Sequence, residues 1–507
     1  MLNMPRSTQS AWMNAASPQT APPLRENVQV DVAIVGAGLT GITAAILLKN
    51  AGKTVAVVEA DRIGSGVTGR TTAHITAILD TRYQTIASDF GEDGARLAAQ
   101  SHQAAMDQIA ALVAEKAIDC DFRRVPGYLY TENPQDTPML EKEVEAARKA
   151  GLNASFTEQI PLPISAKSAL WLPDQAQFHP LKYLFRLAQD VPGDGSFLFE
   201  HSRVVDISDG DPCVVKTETG SVTARAVIIA THIPPGIHLV DTEAAPYRSY
   251  VIAIRTRSDF PEGLYWDTED PYNYTRWAEV DGERLLIVGG KDHKTGQHGD
   301  TESRYRALDE HARKHFDVES VVYRWSAQVY EPADGLAYIG KSPGADNLYF
   351  ASGYSGNGMT YANVAARLLS DLVLGRENPY ADLYSPARIK PLASAVDYIK
   401  ENVNVAARWI GDRLAKNEDQ LSAVRPGEGQ IAEIDGQQIA AYRAEDGTLH
   451  TLSPVCTHMG CIVAWNDAES TWDCPCHGGR YKATGERIEG PPKRDLERVD
   501  VTQSQQN

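Results

Sequence analysis

The chain has 507 residues, room for about three domains at roughly 150 residues each, which excludes a small disulfide-stapled fold. Asp and Glu outnumber Lys and Arg by 67 to 49, a formal charge of −18 that repels a nucleic-acid backbone and an anionic membrane surface. Hydrophobic content of 42% and charged content of 23% are those of a globular protein, and the longest apolar runs, such as residues 32–35 and 226–230, are too short to span a bilayer.

Residues 1–28 are rich in Ser, Pro, Ala, Gln and Asn and read as a flexible arm. They lack the apolar centre of a secretory signal, and no lipidation ending is present, so the expected compartment is the cytoplasm. Residues 30–59 then read as strand, glycine turn, helix, strand: DVAIVG, AGLTG, ITAAILLKNAG, TVAVVE. That order predicts a βαβ unit with parallel strands and a right-handed crossover. Helical and strand patterns alternate to about residue 375, giving one large α/β unit over 29–375 with an inserted sheet. Pro379, Pro386 and Pro391 mark a connector over 376–421. Within it, Val396, Ile399, Val403, Ala406, Ile410 and Leu414 recur at spacings of three and four and predict an amphipathic helix. From 422 to 504 short strands and turns replace helical patterning, which predicts a small all-β domain.

Gly36, Gly38 and Gly41 spell GxGxxG between the first strand and its helix, and Glu59 ends the next strand eighteen residues later. Gly36 permits the tight turn, Gly38 lets backbone approach a pyrophosphate, and Gly41 lets helix pack on strand. The helix N-terminus holds the diphosphate and Glu59 accepts the ribose hydroxyls, so the spacing predicts a dinucleotide site. A second GxGxxG, at Gly64, Gly66 and Gly69, follows no apolar strand and is expected to be a loop over the cofactor.

The fingerprint, GSGVTGRTTAHIT after Glu59, VIIATHIP at 227–234, and DGLAYIG with NLYFASGYSGNGMTYANVAARLLSDLVLG within 334–375 carry a family likeness. They resemble FAD-dependent oxidoreductases of the D-amino-acid oxidase and glycine oxidase type. The resemblance implies a Rossmann-type FAD-binding α/β fold with an inserted substrate-domain sheet. It also implies that Gly358, Met359 and Thr360 present backbone N–H groups to the flavin ring, where a helix N-terminus stabilises the anionic reduced form. His74, in the loop expected near the flavin, is the candidate for a polar catalytic group at the ring. Tyr250, Arg255, Tyr274 and Arg276, on expected strands, are candidates to bind a substrate carboxylate. Cys120 and Cys213 offer no site for a thioether, so non-covalent FAD is expected.

The remaining four of six cysteines crowd into residues 456–476, which in a cytosolic chain points to metal before a disulfide framework. Cys456, His458 and Cys461 are followed after twelve residues by Cys474, Cys476 and His477. Two thiolates and two imidazoles suit either zinc or a [2Fe-2S] centre with two His on one iron. The pattern CxHxGC with CPCHG, and Gly490-Pro491-Pro492, resembles Rieske ferredoxin domains. That resemblance implies that Cys456 and Cys474 bind one iron, that His458 and His477 bind the other, and that Cys461 pairs with Cys476 in a disulfide. Respiratory Rieske proteins follow CPCHG with Ser and then Tyr; here Gly479 replaces the Ser and Tyr481 keeps the Tyr.

A flavin accepts a hydride, whereas a Rieske cluster carries one electron at a time. Fusion of the two predicts a dehydrogenase that oxidises an amine or amino-acid-like substrate and sends electrons from FAD through the cluster to an external acceptor, a protein or a quinone. A flavin oxidase using oxygen and a non-catalytic electron-transfer module are the alternatives. No nucleic-acid partner and no transmembrane segment are expected.

Overall fold

The computed structural model describes residues 4–5, 7–13, 20–236, 238–297, 299–388, 403–408, 411, 421–434 and 436–500. Of the expected connector helix, residues 403–408 are helical; Val396, Ile399, Ile410 and Leu414 lie outside the described residues. Among the described residues no helix is long and apolar enough to cross a membrane.

Val32–Val35 and Val55–Val58 are apolar at every position and buried on both faces, the pattern of central parallel strands. They lie in a six-stranded sheet in the order Tyr338–Lys341, Leu348–Ser352, Ala226–Ile229, Val32–Val35, Val55–Val58, Phe197–Phe199. Only the edge strand Tyr338–Lys341 runs antiparallel to its neighbour. Helices Leu39–Asn50 and Gly358–Val373 pack side by side on this sheet, so both glycine turns open at the same end of it. The inserted sheet carries Val318–Pro332, Ala244–Thr256, Glu283–Lys294, Asn273–Val280 and Leu264–Asp267, then Arg123–Thr131, Ser168–Gln177 and His74–Ile75. A single chain thus alternates between two sheets, with a cavity between them.

The N-terminal segment is not a free arm where it is described. Trp12 is 1% exposed and donates its indole N–H to the Thr71 carbonyl at 2.6 Å, and Asn27–Gln29 pairs in parallel with Ser221–Ala224. Composition suggested an unanchored segment, but one buried aromatic and one strand are enough to fix it against the Thr71 loop.

The C-terminal domain has two small antiparallel sheets: Gly429–Ile434, Gln437–Arg443 and Leu449–Leu452, and Ala464–Asn466, Thr471–Asp473, Arg480–Lys482 and Arg487–Glu489. It docks on the inserted sheet through a buried charge network. Arg248, on Ala244–Thr256, donates to Ser326 Oγ at 2.6 Å and pairs with Glu469 and Glu489 of the C-terminal domain. Arg480 holds the same two carboxylates, at 2.5 and 2.6 Å, and Asp473 at 2.9 Å. Burial opposes ionisation of Glu469 and Glu489, yet the two guanidiniums outweigh it and hold both at about 2.

Candidate functional site

A cavity of about 1240 Å³ runs from the glycine fingerprint to the C-terminal domain. Gly36 and Gly38 line it, with Gly36 at φ +103°, and a Cβ there would fall 2.6 Å from the Ala230 carbonyl oxygen. Gly41 lies behind the turn: a Cβ on it would be 2.0 Å from the Gly36 oxygen, which is the close packing of helix on strand expected of it. Helices Leu39–Asn50 and Gly358–Val373 both begin at the cavity with no cap from their own N-cap residues, and the Leu39 N–H is taken by the Thr68 hydroxyl at 3.1 Å. Helix N-termini beside a glycine cradle fit a phosphate group at one end and an electron-rich ring at the other. Glu59 lines the wall, tied by the Ala37 N–H at 2.8 Å and the Asp61 N–H at 3.0 Å. Gly64, Gly66 and Thr68 of the second glycine segment line the cavity beside them, and Gly69 packs behind, against the Gly64 carbonyl oxygen.

The flavin-side candidates divide. Gly358 and Met359 line the cavity; the Thr360 hydroxyl donates to the Thr76 carbonyl at 3.1 Å and accepts the Thr76 N–H at 3.0 Å. The Thr360 side chain thus fastens the His74 loop. His74 does line the cavity, packed between Trp266 and Tyr274 at ring distances of 5.0 and 5.5 Å. Its Nδ1 meets the Thr72 hydroxyl at 3.0 Å and its buried Nε2 has no partner. Burial, with Arg276 nearby, drives its pKa well down, so the ring is neutral at physiological pH.

Of the four expected carboxylate binders only Tyr274 reaches the cavity, where its hydroxyl meets Ser249 at 3.0 Å. Ser249 and Val251 line the cavity, so strand alternation turns Tyr250 to the opposite face, where it bonds His293 Nε2 at 2.9 Å. Arg255 is exposed at the strand end and paired with Glu283. Arg276 is buried behind the His74 loop, donating to the carbonyls of Thr72, Phe178 and Trp277 at 2.5, 3.1 and 3.1 Å. Neither arginine lines this cavity.

Three carboxylates were not legible as site residues. Asp292 lines the cavity with a buried, unpartnered Oδ1, and burial pushes its pKa up to about 7. Asp80 accepts the Gly356 N–H at 2.6 Å, and Glu331, raised to about 8 by burial and by Asp80, stands beside Ser355. In sequence Asp292 sits in GGKDHK, which reads as a polar turn; Gly290 and Lys291, at φ +132° and +57°, swing it inward.

In the C-terminal domain Cys461 and Cys476 form a disulfide, and Cys456 and Cys474 are buried free thiols. His458 and His477 stand edge to face at 4.9 Å, and the Nδ1 of each is buried with no hydrogen-bond partner. Two free thiols and two imidazoles with orphaned nitrogens fit a cluster ligated by two Cys and two His. The cluster loop adjoins the cavity. Gln328 and Tyr330, which line it, donate to the Gly478 carbonyl at 2.9 Å and the His477 carbonyl at 3.3 Å. Arg480, Arg487, Glu489 and Pro492 supply another stretch of its wall.

A nucleotide cradle in the cavity and a Cys₂His₂ pocket adjoining it define a flavin-type oxidoreductase with an attached iron–sulfur module. Family models match accordingly: FAD dependent oxidoreductase over residues 31–372, and Rieske [2Fe-2S] domain over 416–500. A Bacillus subtilis (strain 168) Rieske 2Fe-2S iron-sulfur protein, YhfW, is 37% identical over 494 residues, 97% of each chain. The gamma-glutamylputrescine oxidoreductase of Escherichia coli (strain K12) is 28% identical over 72% of this chain and 89% of its own. Glycine oxidase from Geobacillus kaustophilus superposes with a TM-score of 0.60 at 20% identity, covering 71% of this chain and 100% of that one. The chain belongs to the FAD-dependent oxidoreductase family and carries a C-terminal Rieske domain, with FAD and a [2Fe-2S] cluster as its cofactors.

Proposed function

We propose that this enzyme oxidises an amine at FAD and passes the electrons singly through its own cluster to an external one-electron acceptor, a protein or a quinone. Cys456 and Cys474 hold one iron in this reading, and His458 and His477 the other. The observation that carries it is the contact between cavity lining and cluster loop, Tyr330 to the His477 carbonyl at 3.3 Å and Gln328 to the Gly478 carbonyl at 2.9 Å. FAD supplies the hydride-accepting chemistry. The substrate gives up a hydride and a proton, the resulting imine is hydrolysed by water, and two molecules of acceptor take one electron each.

Charge favours an amine over an α-amino acid. Arg255 and Arg276 point elsewhere, whereas Asp292 faces the cavity beside Trp266, Tyr272 and Tyr274. A carboxylate among aromatic faces attracts a cation and repels a carboxylate. The Escherichia coli relative is named for gamma-glutamylputrescine, an amine. Neutral His74, wedged against Trp266 and Tyr274, orients the substrate nitrogen.

Anaerobic mixing with a panel of amines and amino acids tests the reading. Flavin bleaching by an amine, followed by the electron paramagnetic resonance signal of the reduced cluster, is the expected result. Bleaching with no cluster signal, and rapid oxygen consumption in air, would favour an oxidase.

A further inference from the structure

Beside Gln328 and Tyr330, the flavin-binding half brings one carboxylate up to a cluster-ligand side chain. His458 Nε2 lies 3.3 Å from Asp241 Oδ2, and the two side chains are 2% and 1% exposed. Asp241 belongs to the flavin-binding half, on the short turn Leu239–Thr242 that follows the cavity-lining loop at Thr231, His232 and Ile233. We propose that Asp241 is a positioning residue for the cluster: it accepts the ring N–H of His458, fixes that imidazole, and holds the reduction potential of the docked cluster down.

Unmatched atoms point to this role. His458 Nδ1, His458 Nε2 and Asp241 Oδ1 are all buried without a formed hydrogen bond among the described residues, and Nε2 stands 3.3 Å from Asp241 Oδ2. The His458 nitrogen that faces Asp241 cannot also face iron, which leaves Nδ1 as the ligand and puts the one ring proton on Nε2. Beside that proton stands a carboxylate already held in place, because Asp241 Oδ2 accepts the His238 backbone N–H at 2.7 Å. A carboxylate that accepts a ligand's N–H makes the imidazole a stronger donor to the metal, and a negative charge beside the centre favours the more positive, oxidised state. Both effects lower the potential. The acceptor comes from the other half of the chain, so the cluster has this potential only when the halves are docked.

The proposal rests on the ligand assignment above, which fails by itself if the wild-type chain contains zinc or lacks acid-labile sulfide. With that established, the full-length Asp241→Asn and Asp241→Ser variants are titrated by electron paramagnetic resonance at one pH, with FAD and iron measured alongside. Asp241→Asn keeps an acceptor for His238 and the native shape but loses the charge. It should favour cluster reduction at least tenfold, an upward shift of about 59 mV for one electron. Asp241→Ser should shift the same way, and Asp241→Glu should return the potential toward wild type. A residue that only caps its turn would leave the potential unmoved. A potential within threefold of wild type in a cluster-containing Asn or Ser variant overturns the proposal. Loss of the cluster in both with FAD retained, restored in Asp241→Glu, supports it; loss that Glu does not restore overturns it.

Discussion

The Tyr481 hydroxyl lies 3.2 Å from Cys456 Sγ, and the same oxygen meets the Thr457 N–H and hydroxyl at 3.2 and 3.1 Å. The hydroxyl is thereby fixed against a cluster ligand. A hydrogen bond to a cluster sulfur favours the reduced, more negative state. Removing it in Tyr481→Phe loses about 1–2 kcal/mol of differential bonding, which at ~59 mV per ~1.4 kcal/mol lowers the potential by roughly 40 to 85 mV. A redox titration of the purified variant measures it.

Gly479 cannot simply be given back the serine of respiratory proteins. A Cβ there would fall 2.6 Å from Pro492 Cγ and 3.4 Å from Cys456 Sγ, so Gly479→Ser forces the proline loop away from the cluster. The expected outcome is reduced iron content at purification, read against a wild-type control.

The ring of His458 separates the two cofactors experimentally. His458→Ala should lose the cluster and keep FAD. Substrate should still bleach the flavin, while turnover with a one-electron acceptor falls at least tenfold. Unchanged turnover would mean that electrons leave directly from the flavin.

Docking should be acid-labile. Glu469 and Glu489 titrate at about 2 in the docked protein against an ordinary 4.5. Depressed carboxylates stabilise fully above their unfolded pKa and lose that stabilisation as pH falls from about 4.5 toward 2. Denaturant unfolding between pH 6 and 3 should show the loss. Arg248→Ala, which leaves buried carboxylates under-compensated, should cost about 3–5 kcal/mol at pH 7.

Substrate charge can be read at Asp292. Its pKa is raised to about 7, so the carboxylate ionises and cation binding strengthens as pH rises through that value. Asp292→Asn should raise the KM for a cationic amine about tenfold or more, the worth of about 1.4 kcal/mol, and flatten this pH dependence. Flavin-reduction titrations at pH 6 and pH 8 decide it.

What could be read from the sequence was local. The glycine fingerprint and the Cys/His pairs each fall within a few residues of chain, so spacing alone exposes their geometry. Arg255 and Tyr250 were beyond reach because the face that a strand residue presents depends on register with distant partners, here Arg255 with Ser320 and Tyr250 with Ser326 and Gly290. Asp241 and His458 share no pattern in sequence and meet only across the docked domains. The N-terminal segment misled for a different reason: its composition is that of a linker, yet buried Trp12 and the strand Asn27–Gln29 tie its described residues down.

The wall that Arg487 and Pro492 contribute to the nucleotide cavity makes the iron–sulfur domain part of the flavin site's own surroundings. The two halves therefore share a surface as well as a chain, and a side-chain change on that wall belongs to both of them at once.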